Sequence, residues 1–112
     1  MGIDKSLISG STAVLILRLL EEKDMYGYEM IEQLKQRSKN VFELKAGTLY
    51  PLLHSLESKN LLTSYESESA GKRRKYYQIT SSGSRYLKEK KEEWKIYTQA
   101  VADVLYLGAA LS

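Results

Sequence analysis

The spacing of apolar residues changes near residue 60, from the period of a helix to the alternation of a strand. Before this point, four leucines at positions 49, 52, 53 and 56 fall on one face of a helix. Beyond it, Leu62–Glu66 and Lys75–Ile79 have the composition of two strands that flank a short polar segment. The sequence therefore predicts a helix that leads directly into a β-hairpin.

Two further helices are predicted before the leucine-rich one. Thr12–Leu20 is apolar on nearly every side, broken only by Arg18, so more than one of its faces must be covered. A segment from about Tyr26 to Arg37 repeats apolar residues at four-residue spacing, which indicates a single buried stripe. Three helices followed by a hairpin have the order of a winged helix-turn-helix domain.

A long last helix is predicted after the hairpin. Thr80–Gly83 supplies candidate caps for its start, and the helix reaches at least Leu105. Its apolar residues form a heptad-like seam of Leu87, Trp94, Tyr97, Val101 and Val104, with Lys90 as the polar member. One small domain cannot cover both this seam and the second face of the first helix, whereas two copies bury both. We therefore predict a homodimer with a mainly α fold and a small β-hairpin.

The positive charge of the chain is concentrated in its C-terminal part. The formal net charge is only +3, and residues 1–70 carry 8 basic and 10 acidic side chains, a balance of −2. Residues 71–112 carry 9 basic and 4 acidic side chains, a balance of +5. Such a local field steers a polyanion without making the whole protein strongly basic. We predict that residues 1–80 form a winged helix-turn-helix DNA-binding domain and residues 81–112 a C-terminal dimerisation helix.

The outer face of the leucine-rich helix suits contact with DNA. Gly47 allows the backbone to approach a duplex closely, and Thr48 and Tyr50 are placed to contact phosphates or base edges. His54 follows one turn later, and Lys45 stands just before the helix as a cation that can reach phosphate. The alternative is an ordinary solvated face, shaped by the entry of the chain into the helix.

The hairpin carries a basic run. Four successive cations are predicted to lie at its turn, namely Lys72, Arg73, Arg74 and Lys75. Arginine side chains in particular suit narrow minor grooves and bidentate contact with phosphate. Tyr76 and Tyr77 point to opposite faces of the following strand, so we expect one in the core and the other, Tyr76, as a phosphate contact. The alternative is a solvated turn.

The sequence does not support catalysis or metal binding. There is no Cys, and His54 is the only His, with no carboxylate pair beside it. We therefore expect no enzyme activity, no metal and no cofactor. The chain opens on no basic-then-apolar leader, and no apolar run approaches the length that crosses a bilayer. We accordingly expect a cytoplasmic protein with no membrane partner.

Several short motifs resemble those of a known family. They are Met25-Tyr-Gly-Tyr-Glu29, Gly47-Thr-Leu-Tyr-Pro51 with Leu56-Glu57, Gly71-Lys-Arg-Arg-Lys-Tyr-Tyr77, and then Thr80 and Gly83. In this order they are similar to motifs of the PadR family, the phenolic acid decarboxylase regulator-like transcription factors of bacteria. The single short C-terminal helix resembles the compact second subfamily, which includes multidrug-responsive repressors. The resemblance implies a dimeric repressor whose third helix enters the major groove and whose wing reaches an adjacent minor groove.

Trp94 is the only Trp and lies on the predicted dimer seam. Two copies would form an aromatic slot for a small planar effector, attracted mainly by stacking. The alternative is that Trp94 simply packs against its mate or against the first helix. With the resemblance, which places the first helix at the dimer centre, the candidate effector-binding residues are Trp94, Val14, Arg18 and Leu7. The bulky cation of Arg18 disfavours flat cationic drugs at this position.

These patterns together favour a cytoplasmic, dimeric transcriptional repressor that binds operator DNA and is released by a small aromatic effector. A second hypothesis is a winged-helix protein-interaction module without sequence-specific DNA binding, because a fold does not fix a function. A third is a small ligand-binding protein that has the dimer pocket but no affinity for DNA. The basic wing argues against both of these alternatives.

Overall fold

The computed structural model describes residues 11–106 of the chain, so Leu7, a candidate effector contact, lies outside the described range. The elements follow in the order α1 (Thr12–Glu22), β1 (Met25–Tyr26), α2 (Gly27–Arg37), α3 (Ala46–Ser58), β2 (Leu62–Ser69), β3 (Lys72–Ile79) and α4 (Ser81–Leu105). This is a winged helix-turn-helix with a long C-terminal helix, so the predicted fold class is confirmed.

Within residues 11–106 the sheet has three strands, one more than the predicted hairpin. Its order is β1-β3-β2 and all pairings are antiparallel. The added strand, β1, is only two residues long and pairs Met25 with Tyr77 and Tyr26 with Tyr76. The sequence did not predict it because two residues are too few for an alternating pattern, and their partners lie far along the chain. It brings the start of α2 beside the wing.

The hairpin is longer than predicted, and its cations lie on a strand. The ladder of β2 and β3 runs from the Leu62–Ile79 pair to the Ser69–Lys72 pair, which leaves Ala70 and Gly71 as the turn. Both turn residues have positive φ, 53° and 77°, as a two-residue hairpin turn of the mirror-image type I requires. The prediction that the basic run lies at the turn is therefore wrong, because the tight turn extends β3 back to Lys72.

One apolar core joins the helices to the sheet. Each helix and each strand contributes buried residues, and Tyr77 of β3, 1% exposed, is the largest of them. The prediction that one of the two adjacent tyrosines enters the core is confirmed. Leu87 of α4 is fully buried in this same core. It therefore does not belong to an open seam, because the first turns of α4 still pack on their own domain.

Helix α4 is fixed at its start and projects outward at its end. The Thr80 hydroxyl accepts a hydrogen bond from the Gly83 amide at 2.9 Å and donates one to the Asn60 carbonyl at 2.6 Å. The first part of the helix packs against α1. Further along, Tyr97 is 61% exposed and Val104 is 79% exposed. Neither α4 nor any other helix within residues 11–106 has an apolar stretch that could cross a membrane.

Ion pairs connect α1 to its neighbours. The Glu22 carboxylate accepts two hydrogen bonds from Arg37 at the end of α2, at 2.5 and 2.7 Å. It also forms an ion pair with Arg18 at 2.8 Å. The hydrogen bonding of Arg37 is the largest effect that lowers the pKa of Glu22, to about 2. Glu21 accepts a hydrogen bond from Lys91 of α4 at 3.0 Å. These contacts hold α2 and α4 against the same end of α1.

Candidate nucleic-acid interface

The outer face of α3 is open along much of its length. Gly47, Thr48 and His54 are exposed, and so is Lys45 at the helix N-cap position. The Lys45 carbonyl accepts the amides of Thr48 and Leu49 at 2.9 Å each, while the Lys45 side chain makes no capping hydrogen bond. A lysine ammonium only donates hydrogen bonds and cannot cap the helix amides, so the exposed amino group can meet an anion in front of the helix, where the amide dipoles also favour negative charge.

Gly47 is not required by packing within the described residues. A Cβ atom built on it would meet no heavy atom within 4 Å, and its φ is not in the left-handed region. Glycine in a helix also costs stability relative to alanine. The absence of a side chain here therefore serves no internal contact and leaves the helix backbone open to a large neighbour.

Tyr50 differs from the prediction, because its side chain is only partly on the outer face. It is half-buried, and its ring lies over Gly27 at the start of α2. A Cβ atom on Gly27 would overlap the Tyr50 hydroxyl and lie 2.7 Å from Cζ. Tyr50 follows the fully buried Leu49 by about 100° around the helix, which places it at the margin between core and solvent. Its position is fixed by α2.

The two faces of the wing carry different charge. Because side chains alternate along a strand, Lys72 and Arg74 share one face of β3, and Arg73 and Lys75 share the other. In the ladder, Glu68 lies opposite Arg73 and Glu66 lies opposite Lys75. Lys72 and Arg74 are instead opposite two serines, Ser69 and Ser67. We call the face with Lys72 and Arg74 the acid-free face, because neither β2 nor β3 places a carboxylate on it.

Cations on the other face are compensated within the hairpin. Arg73 Nε lies 3.0 Å from Glu66 Oε1, and both side chains are largely exposed. Lys75 Nζ is 5.6 Å from the centroid of the Tyr77 ring. Two cations and two carboxylates thus share this face, and the net positive charge of the wing belongs to the acid-free face.

Arg74 on the acid-free face is supported by an aromatic ring. Its guanidinium carbon lies 4.5 Å from the centroid of Tyr26, and Nη1 donates to the Ser69 carbonyl at 3.4 Å. The Tyr26 ring also meets Tyr76 edge to face, with centroids 5.6 Å apart. The sequence did not indicate that Tyr26 supports an arginine, because only the pairing of β1 with β3 brings Arg74 next to it.

Tyr76 lies in a row of three tyrosine rings. On the side opposite Tyr26 it stacks on Tyr65, with centroids 5.8 Å apart and planes 15° from parallel. The Tyr65 hydroxyl donates to Asp24 Oδ2 at 2.5 Å, and this hydrogen bond raises the pKa of Tyr65. Tyr65 is a second residue that the sequence analysis missed. The row runs beside Arg74 and gives this side of the wing a rigid aromatic base.

A groove of about 400 Å³ lies between α1 and α4. It is lined by Ser11, Val14, Leu15, Arg18, Phe42, Leu87, Lys91 and Trp94. Three candidate effector residues, Val14, Arg18 and Trp94, therefore lie together in it. Phe42, in the link that leads into α3, and Lys91 are lining residues that the sequence analysis missed. No group of three or more possible metal ligands occurs among the described residues.

Comparison with known proteins identifies relatives along most of the chain. A model of the Transcriptional regulator PadR-like family matches residues 16–89. The chain is 42% identical over 93 residues to Uncharacterized protein X of Lysinibacillus sphaericus, covering 82% of this chain and 85% of that one. It is 28% identical over 102 residues to Transcriptional regulator YqjI of Escherichia coli, covering 91% of this chain but only 47% of YqjI.

Solved structures share the fold. A transcriptional regulator from Clostridium thermocellum has a TM-score of 0.81 at 35% identity, with 88% of this chain and 94% of that chain covered. A PadR family transcription regulator from Clostridium difficile has a TM-score of 0.74 at 42% identity, with 85% and 98% covered. On the family match and these two structures, the chain belongs to the PadR-like family of transcriptional regulators.

Proposed function

We propose that this regulator binds operator DNA as a homodimer and represses transcription. As a member of a family of transcriptional regulators, it is not an enzyme, so its activity is one of binding. The observation that carries the proposal is the exposed face of α3, with Lys45, Gly47 and Thr48, in a domain whose wing has an acid-free cationic face. The two surfaces together supply base-edge and phosphate contacts.

The residues divide into those that discriminate sequence and those that hold the backbone. Thr48 and His54 carry side chains that donate and accept hydrogen bonds at base edges, and Gly47 allows close approach in the major groove. Lys45 and the acid-free face, with Tyr76 at its base, hold phosphates. Tyr50 lies at the edge of α3, where its ring packs on Gly27 and supports the helix. Two half-sites would lie about 10 bp apart, or a multiple of that, on one face of the duplex.

The two wing arginines offer a matched test of phosphate contact. Replacing both Arg73 and Arg74 with Ala should weaken binding to every sequence, and we expect most of this loss from Arg74. Arg74→Ala should cost about tenfold in affinity and flatten the salt dependence by about one unit, because one charged phosphate contact is removed. Arg73→Ala should cost less than about threefold, since Glu66 already offsets its charge. Gel-shift titrations over a salt series measure both.

The same titrations separate this proposal from its alternatives. A protein-interaction module, or a ligand-binding protein without DNA affinity, would not bind random-sequence duplex even at low salt. Thr48→Ala should instead lower discrimination between operator and random duplex, while leaving the salt dependence unchanged. If the wild type and the double arginine variant bind DNA with equal affinity, the wing arginines do not contact DNA.

The dimer is proposed from the outer part of α4. Residues 81–112 would then serve as the dimerisation arm and residues 1–80 as the reading head. Tyr97, Val101 and Val104 leave apolar surface uncovered on one side of the helix, with Trp94 half-buried next to them. A second copy of α4 in a coiled-coil-like contact would cover this seam.

Charged substitutions test the dimer without disturbing the head. Val101→Lys with Val104→Lys should lower the mass in sedimentation equilibrium from twice 12.8 kDa to 12.8 kDa, because two buried cations on each helix oppose pairing. Gln99→Lys, on an exposed position outside the seam, is the control and should leave the dimer intact. A wild-type protein that sediments as a monomer would contradict the proposal.

The groove between α1 and α4 is proposed to accept a small planar aromatic effector. Trp94 offers a stacking surface, and the wall formed by Phe42 connects the groove to the segment that enters α3. Occupancy that favours one arrangement of α3 and α4 would shift the protein away from its DNA-binding state. Arg18 and Lys91 also line this groove, and each is paired with a carboxylate at the end of α1, Glu22 and Glu21 respectively.

Trp94 fluorescence provides a direct test, because this is the only Trp in the chain. A panel of planar aromatic compounds, screened for quenching and then for loss of DNA in a gel shift, should contain members that do both. Quenching should saturate as the concentration of the compound rises. The same compounds should not quench a solution of free tryptophan. If no compound changes the emission, the effector role of the groove is wrong.

A further inference from the structure

We propose that Tyr26 and Gly27 form a common seat that fixes the wing and α3 relative to each other for DNA binding. Tyr26 is then a positioning residue that orients Arg74, and Gly27 positions Tyr50. This inference rests on the proposed DNA-binding function. The two residues are adjacent in sequence, so the two contacts move as one unit.

The first part of the seat is the Arg74–Tyr26 contact. At 4.5 Å the guanidinium lies over the ring rather than at its edge. A guanidinium in this position keeps its in-plane N–H donors clear of the ring; Nη1 donates to the Ser69 carbonyl, and the remaining donors can form a bidentate contact with phosphate. The ring also restricts a long side chain that would otherwise lose more conformational freedom on binding. Tyr26 therefore prepares Arg74 without needing to touch DNA.

The ring of Tyr26 is itself held in place. Its backbone pairs with that of Tyr76 in the sheet, and its ring meets Tyr76 edge to face. Tyr76 stacks on Tyr65, whose hydroxyl is bound to Asp24. The row of rings thus extends from a carboxylate just before β1 to the arginine of β3. Rotation of the Tyr26 ring away from Arg74 would also break its edge-to-face contact with Tyr76.

The second part of the seat is the contact of Gly27 with Tyr50. Tyr26 has extended backbone angles, φ −90° and ψ 168°, and directly precedes the first turn of α2. Gly27 begins that turn fully within the fold and presents its bare Cα to the Tyr50 ring of α3. The side chain before the helix therefore supports the wing, and the missing side chain after it accepts α3.

The inference is tested on the full chain with random-sequence duplex DNA at low salt. Tyr26→Phe keeps the aromatic face and should bind within about twofold of wild type. Tyr26→Leu keeps an apolar side chain at this position but removes the aromatic face, and it should lose about fivefold in affinity, most of what Arg74→Ala loses. Tyr26→Leu with Arg74→Ala should bind no more weakly than Arg74→Ala alone, because the two act through one contact.

The salt dependence separates positioning from a merely structural role. If Tyr26→Leu releases Arg74 from phosphate, its slope should fall toward that of Arg74→Ala, although the variant keeps every charge. Circular dichroism melting shows whether each variant is folded at the assay temperature, and Tyr26→Phe is the folded aromatic control. Wild-type affinity of a folded Tyr26→Leu, beside a weakened Arg74→Ala, would overturn this inference and leave the proposed function intact. Failure of the wild type to bind any duplex would overturn the proposed function itself.

Discussion

Gly83→Ala is expected to lower the free energy of unfolding by about 3 kcal/mol. A Cβ atom at this position would overlap the Leu61 carbonyl oxygen and lie 2.7 Å from Ile79 Cγ1. The carbonyl cannot move aside freely, because it accepts the Thr80 amide at 3.2 Å at the start of α4. The helix propensity gained by alanine, about 1 kcal/mol, is too small to offset a clash with backbone.

Urea denaturation followed by circular dichroism measures this loss. Ser84→Ala is the matched control, because Ser84 is the next residue of the same helical turn and is exposed; it should change stability by no more than about 0.5 kcal/mol. We also expect Gly83→Ala to weaken the dimer, since relief of the clash moves the first turn of α4 away from the sheet. Equal denaturation midpoints for Gly83→Ala and wild type would show that α4 is not anchored as described.

Gly27→Ala is expected to weaken both folding and DNA binding. The new Cβ would overlap the Tyr50 hydroxyl, and the far end of a tyrosine can swing away more easily than a backbone carbonyl. We expect a loss of about 1–2 kcal/mol in stability. Because Tyr50 is displaced from the margin of α3 into the proposed interface, affinity for duplex DNA should fall by about tenfold.

A double-mutant cycle assigns this effect to the Gly27–Tyr50 contact. In a Tyr50→Ala background, Gly27→Ala should cost little further stability, because the overlapping ring atoms are gone. Gly47→Ala is the control glycine, since its Cβ would meet nothing within 4 Å; its stability should be unchanged or slightly higher. In an additive cycle, Gly27→Ala would lower the free energy of unfolding by the same amount with and without the Tyr50 side chain. That result would show that the Gly27–Tyr50 contact does not position α3.

The helical part of the fold could be predicted because its signals are local. The leucine spacing in α3 places Leu49, Leu53 and Leu56 in the core, where all three are buried. The change of period after Asn60 predicted the hairpin for the same reason. Leu87 shows the limit of this approach. It fits the heptad-like seam by spacing, yet it is buried in its own domain because α4 packs on α1 before it projects.

The candidate site was predicted less completely, because charge along a sequence does not reveal which charges face one another. Lys72 to Lys75 form one basic run in the sequence, but the register with β2 compensates one pair and leaves the other without acids opposite. That register depends on the turn at Ala70 and Gly71, and a shift of one residue would exchange the two faces.

The sequence alone determined the order of helices and hairpin, the apolar face of α3 and the presence of a basic wing. These features depend on short-range periodicity and on composition, which need no partner. Only the tertiary structure decided that Arg74 rests on Tyr26, that Tyr50 rests on Gly27, and that Val14, Arg18 and Trp94 share a groove. The physical reason is that these contacts join residues far apart in the chain. The Arg74–Tyr26 contact depends on the pairing of a two-residue strand, and the Tyr50–Gly27 contact depends on the space left by a missing side chain.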